Sequence, residues 1–137
     1  MRDRSRAREW ALRILYAWES RQDVELGAVL EEFMARRRIK GARRPYVRRL
    51  VETIERDRDG IDGAVESALT NWRLERLSAL DRNLLRVAAA EMLHFDDVPP
   101  RVSIQEAVRL AERYGTDQSP RFVNGVLDAL MRRLERP

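Results

Sequence analysis

A chain of 137 residues has room for about one domain, and 44% hydrophobic with 36% charged residues is the balance of neither a disordered nor a fibrous protein. The lack of cysteine removes disulfides and thiolate metal sites, and no apolar run approaches the roughly 20 residues a membrane span needs. Net charge is +4, and the opening MRDRSRAREW is charged where a signal peptide needs its apolar stretch, so the chain reads as cytoplasmic.

Apolar residues recur at three and four positions nearly everywhere and strand-like alternation is missing, which predicts an all-α fold. The first helix is expected from about Ser5 to Arg21, with Ala7, Trp10, Ala11, Ile14, Leu15 and Trp18 as its buried stripe. A second follows from about Val24 to Arg37, burying Leu26, Val29, Leu30, Phe33 and Met34. After the loop RIKGARR, Pro45 opens a long helical pattern that runs to Leu69. Gly60 and Gly63 mark a bend or break within it. A short turn from Leu74 to Leu77 precedes a helix from about Leu80 to Phe95, ended by Asp96, Asp97, Pro99 and Pro100. Ser103 and Glu106 read as a capping box for the next helix, with Gly115 as its left-handed stop. Ser119 and Pro120 read as an N-cap and first-turn pair for the last helix, within which Gly125 reads as a close-packing point. The count is seven helical segments in two groups, divided near residue 70.

The charge is unevenly spread. Residues 1–8 hold Arg2, Arg4, Arg6 and Arg8 against Asp3 alone, and residues 36–49 hold eight cations and no acid. Beyond residue 70 there are 11 basic and 10 acidic residues. Positive charge gathered in two places is the footprint of a phosphate-backbone binder, although a solvated face produces the same pattern. Lys40 is the only lysine, so the abundance of arginine does not by itself report bidentate phosphate contacts. Arginines at a helix start oppose the helix dipole, which favours a ligand over mere solvation. Tyr16, Tyr114 and Phe122 are aromatics able to stack on unpaired bases, with core packing as the competing role.

Catalytic signals are lacking. His94, the one histidine, sits at a helix end beside acidic turn residues, and a metal site needs a cluster of ligands. There is no Gly-rich phosphate loop, no G-x-S-x-G and no H-E-x-x-H. Neither a catalytic residue, a cofactor nor a metal is expected.

Three blocks resemble the NusB family of antitermination factors. These are the N-terminal RSRAREWALRILYAWE, the central LDRNLLRVAAAEM with DVPPRVSIQEAVRLAERYG, and the final SPRFVNGVLDAL, in family order from about residue 4 to residue 131. The resemblance implies a seven-helix fold of two packed helical-bundle subdomains, about residues 1–70 and 71–137. It also implies binding of the single-stranded boxA element of nascent ribosomal RNA, together with the ribosomal protein NusE, in the transcription elongation complex. Carried over by motif, the RNA side is Arg2, Arg4, Arg6 and Arg8 with Arg121 and Phe122 at the start of the last helix. The NusE side is Tyr16, Asp81 and Arg82. Ser5 interrupts what is a denser arginine run in the family, and the basic stretch from Arg36 to Arg49 lies outside its pattern. That stretch is either a further RNA contact or the solvated end of two helices. Two other readings stand beside this one: a helical adaptor that binds only protein, and the detached N-terminal domain of an rRNA methyltransferase. Monomer and homodimer both remain open.

Overall fold

The computed structural model describes residues 2–135, and they form seven α-helices and one short 3-10 turn, with no strand among them. In chain order the helices are α1 (Arg2–Glu19), α2 (Leu26–Arg36), α3 (Arg44–Arg56), α4 (Arg58–Ala68), α5 (Ala79–His94), α6 (Pro100–Tyr114) and α7 (Ser119–Glu135), with the turn at Leu74–Arg76. The all-α expectation holds. The division of the chain differs at several points, each for a local reason.

α1 begins at Arg2 rather than near Ser5, which brings its N-terminal arginines onto the helix itself. The pattern from Pro45 to Leu69 breaks at Asp57, three residues before Gly60, where the backbone leaves the helical region at φ −124° and ψ 41°. Gly60 still matters there, since a Cβ on it would collide with the Asp57 carboxylate. α5 starts one residue before Leu80, because the Ser78 hydroxyl accepts the amide of Asp81 as an N-cap.

The capping-box expectation at Ser103 is overturned. α6 opens at Pro100, whose missing amide proton has no intrahelical acceptor to lose. Ser103 is buried one turn in, and its hydroxyl donates to Glu91 of α5 at 2.7 Å. Gly115 does end α6, but in extended backbone (φ −92°, ψ −170°), not the left-handed region. What it supplies is space, since a Cβ there would meet Ser119 Cβ at 2.6 Å and the Ala111 carbonyl at 2.8 Å. Ser119 is the first residue of α7, and its oxygen accepts the amide of Thr116 to hold the α6–α7 turn. Gly125 lies on the exposed side of α7 with open space around its Cβ position, so no close helix packing explains it.

α5 is the central helix. Residues 83–91 are all buried, and α1, α3, α4, α6 and α7 pack around it. The run Ala88, Ala89 and Ala90 lets those neighbours approach on several sides at once. A single apolar cluster runs from Ala7 of α1 to Met131 of α7. No helix among the described residues is long and apolar enough to cross a membrane.

Candidate nucleic-acid interface

The N-terminal arginines separate by helical phase. Arg2 and Arg6 are exposed, while Arg4 is half-exposed, its guanidinium 4.6 Å above the Tyr46 ring and donating to Asp97 at 2.9 Å. Arg8 is 2% exposed. Its Nε donates to Glu91 at 2.7 Å, and a second nitrogen lies 3.4 Å from Glu106. Tyr46 and Ser103 also donate to Glu91, so Arg8 neutralises a carboxylate that is otherwise sealed in the interior. Burial raises the Tyr46 hydroxyl above its ordinary pKa, reinforced by the hydrogen bond to Glu91 and by that group's charge. The expectation that Arg8 faces RNA is therefore corrected: the arginine is an internal strut without a free edge.

The basic stretch from Arg36 to Arg49 also divides. Arg48 is paired with Glu31 and Glu52, and Arg49 with Asp97 at 2.8 Å. Hydrogen bonds from Arg49 and then Arg4 hold the Asp97 carboxyl far below the usual carboxylate range. Arg43 reaches across to Asp3 in the first turn of α1 at 3.1 Å, and Arg44 donates to the Met34 carbonyl at 3.0 Å. Arg36, Arg38 and Lys40 are exposed, and none has an ion-pair partner among the described residues.

Around Glu9, residues distant in sequence converge. Arg6, Arg13 and Arg113 lie 3.4–3.8 Å from its carboxylate, and the Tyr114 hydroxyl donates to it. Burial alone would raise the pKa of Glu9, but the Tyr114 hydrogen bond and the charges of Arg113, Arg13 and Arg6 outweigh it and hold the carboxyl low. Arg43 completes the lining of a hollow of about 180 Å³ at this point. Arg113 carried no signal in the sequence, since it stands alone in a charge-balanced half of the chain.

At the start of α7, Arg121 is exposed and Phe122 half-buried. No hydrogen bond or ion pair among the described residues joins them to α1, whereas Tyr114 at the end of α6 bonds Glu9 and Arg13 of that helix. Of the residues assigned to the protein partner, Tyr16 is 55% exposed and lines a cleft of about 530 Å³ with Leu80, which brings it to the start of α5. Asp81, next in the chain, keeps one buried carboxylate oxygen without a hydrogen-bond partner. Arg82 is occupied internally: it donates to Glu19 and to the carbonyls of Leu74 and Leu77, tying the 3-10 turn to α1. Arg86 joins the same network through Asp62 and Glu19. No group of His, Cys, Asp or Glu able to hold a metal occurs among the described residues.

A profile of the NusB family matches residues 5–132. The chain belongs to the NusB family. The transcription antitermination protein NusB of Chloroherpeton thalassium is 40% identical over 130 residues, covering 92% of this chain. The chain spans about 60% of the length of that NusB relative. Among solved structures, a crystal form of T. maritima NusB superposes with a TM-score of 0.87 at 37% identity, covering 94% of this chain and 90% of that one. The NusB chain of a complex of antitermination factors NusB and NusE with dsRNA superposes with a TM-score of 0.86 at 31% identity. That match covers 97% of this chain and 98% of the other. The curated NusB relatives bear the names of antitermination proteins, not of enzymes.

Proposed function

We propose that the chain is an antitermination factor that binds the boxA element of nascent ribosomal RNA as an unpaired strand, jointly with NusE, within the transcription elongation complex. The observation that carries this reading is the family membership together with the exposed arginines on the first turns of α1. Arg2, Arg4 and Arg6 supply phosphate contacts, and Arg121 with Phe122 supplies a further charge and a stacking face. Tyr16 and Asp81 face the partner protein, Tyr16 with an exposed ring at the mouth of the cleft. Arg82 acts on that face by holding the 3-10 turn in place.

The test is fluorescence anisotropy with a boxA-like RNA, its scrambled control and its duplex form, with and without NusE, over a salt series. The expected result is a preference for the unpaired boxA strand that grows with NusE. Replacing Arg4 and Arg6 with Ala should flatten the salt dependence by about 0.7 in slope for each phosphate that is no longer neutralised. RNA should tighten NusE binding by the same factor as NusE tightens RNA binding, because the coupling is reciprocal. Equal, weak affinity for every RNA in all conditions would sink the reading and leave a protein-only adaptor.

A further inference from the structure

We propose that the basic segment between α2 and α3 is a second RNA contact, which takes unpaired strand flanking the core element along a groove beside α1. The inference rests on the RNA-binding reading above and extends it to the basic stretch that lies outside the family's motif blocks.

Packing sets the segment against α1. The Arg43–Asp3 pair ties its far end to the first turn of α1, and Trp10 meets Phe33 edge-on at 6.3 Å between ring centres. Two hollows then open in line along α1. The first holds Arg6, Arg13, Arg43 and Arg113 around Glu9, and the second is the cleft of Tyr16 and Leu80, to which Arg37, Phe33 and Tyr114 also contribute. Arg13 lines both, so the track leads from the first hollow to the margin of the partner protein's cleft. Five guanidiniums stand along it against the carboxylates of Glu9, whose side chain is only 6% exposed, and of Asp3, which Arg43 meets at 3.1 Å. The Glu9 carboxylate gathers the guanidiniums from beneath while the positive charge faces outward. Arg36, Arg38 and Lys40, beside Arg37 in the chain, are exposed cations, in contrast to Arg48 and Arg49, which acidic partners already neutralise.

The chemistry of the track favours an unpaired strand over an acidic peptide. Arg37 lies 4.7 Å above the Phe33 ring and Arg13 5.1 Å above Trp10. Arg13 gives one N–H to the Tyr114 hydroxyl, while the Arg37 guanidinium has no ion pair or side-chain hydrogen bond among the described residues and keeps its N–H edges for phosphate oxygens. Tyr114, 40% exposed at the wall, offers a face for a base. Alternating cations and aromatic faces are what a sugar-phosphate chain with splayed bases uses, whereas carboxylates need the cations alone.

The experiment compares a boxA-like RNA with the same RNA lengthened by about eight uridines at either end. The variant is R36Q/R37Q/R38Q/K40Q, all at exposed positions outside the ion-pair network, with far-UV circular dichroism confirming its fold. A charge-matched control, R56Q/R76Q/R132Q/R133Q, removes four exposed arginines elsewhere. Wild type should bind the lengthened RNA about tenfold more tightly than the short one. The variant should lose that gain and keep wild-type affinity for the short RNA, while the control retains it. Wild-type behaviour of the variant on both RNAs would overturn the proposal, as would an equal loss in the control. Poly-glutamate displacing the lengthened RNA as well as an unlabelled uridine strand would also overturn it, since the track would then read charge alone. If boxA is not preferred over its scramble but the uridine gain still depends on residues 36–40, the antitermination reading falls and the second contact stands.

Discussion

Glu91 lies fully buried on α5 and accepts from Arg8, Tyr46 and Ser103, which come from α1, α3 and α6. One carboxylate thus fastens three helices to the central one. Replacing Arg8 with Met should cost about 3–5 kcal/mol in urea denaturation, because it leaves the buried Glu91 without its opposing charge. Replacing Tyr46 with Phe should cost about 1–2 kcal/mol, as a single hydrogen bond is removed. The pair Arg8→Met with Glu91→Leu should be milder than Arg8→Met alone; a double variant less stable than the single would refute the network. The burial of Arg8 was partly legible. It stands among Ala7, Ala11, Leu12 and Leu15 on the apolar stripe, and a two-residue step turns it well away from Arg6. Its partner was not legible, since nothing local ties residue 8 to residue 91.

At the scale of the helices, the glycines separate by what surrounds them. Gly125 and Gly63 have open space at the Cβ position and no left-handed backbone. Ala at either site should therefore stabilise the protein by about 0.5–1 kcal/mol through helix propensity. At Gly115 the outcome reverses. A methyl group would press on Ser119 and on the Ala111 carbonyl, so Gly115→Ala should cost about 1–3 kcal/mol and loosen the α6–α7 turn. Thermal melts of the three variants check the sign. The helices themselves were readable from their periodicity, but their ends were less so. Ser103 has the spacing of a capping box and serves instead as a buried donor, because Pro100 starts α6 a turn earlier. The helix break went to Asp57, whose carboxylate pairs with His94 of α5 at 2.7 Å, so a tertiary contact overrode the weaker propensity of the glycines.

For the molecule as a whole, stability should fall in acid. Glu9 and Glu19 are held below the ordinary carboxyl value despite burial, Glu9 by Tyr114 and its arginines and Glu19 by Arg82 and Arg86. A lowered folded pKa means that the unfolded chain binds more protons at a given pH. The contribution of these groups is present above the unfolded value of about 4.3 and is lost as pH drops through the folded value. The urea midpoint should drop as the pH falls below about 4.3. E9Q and E19Q should flatten that fall, and an unchanged profile in both variants would show that other carboxylates govern it.

Periodicity and composition by themselves determined an all-helical chain, its buried stripes, its two concentrations of positive charge and the motif blocks of its family. Those features are local: a helix reports its buried face every three to four residues, and charge runs need no partner to be seen. Tertiary packing alone decided which cations remain free. It buried Arg8 against Glu91, neutralised Arg48 and Arg49, engaged Arg82 internally, and brought Arg6, Arg13, Arg43 and Arg113 around Glu9. Coulomb and hydrogen-bond partners are chosen by distance in space, so the availability of a charge is settled only once the helices have packed.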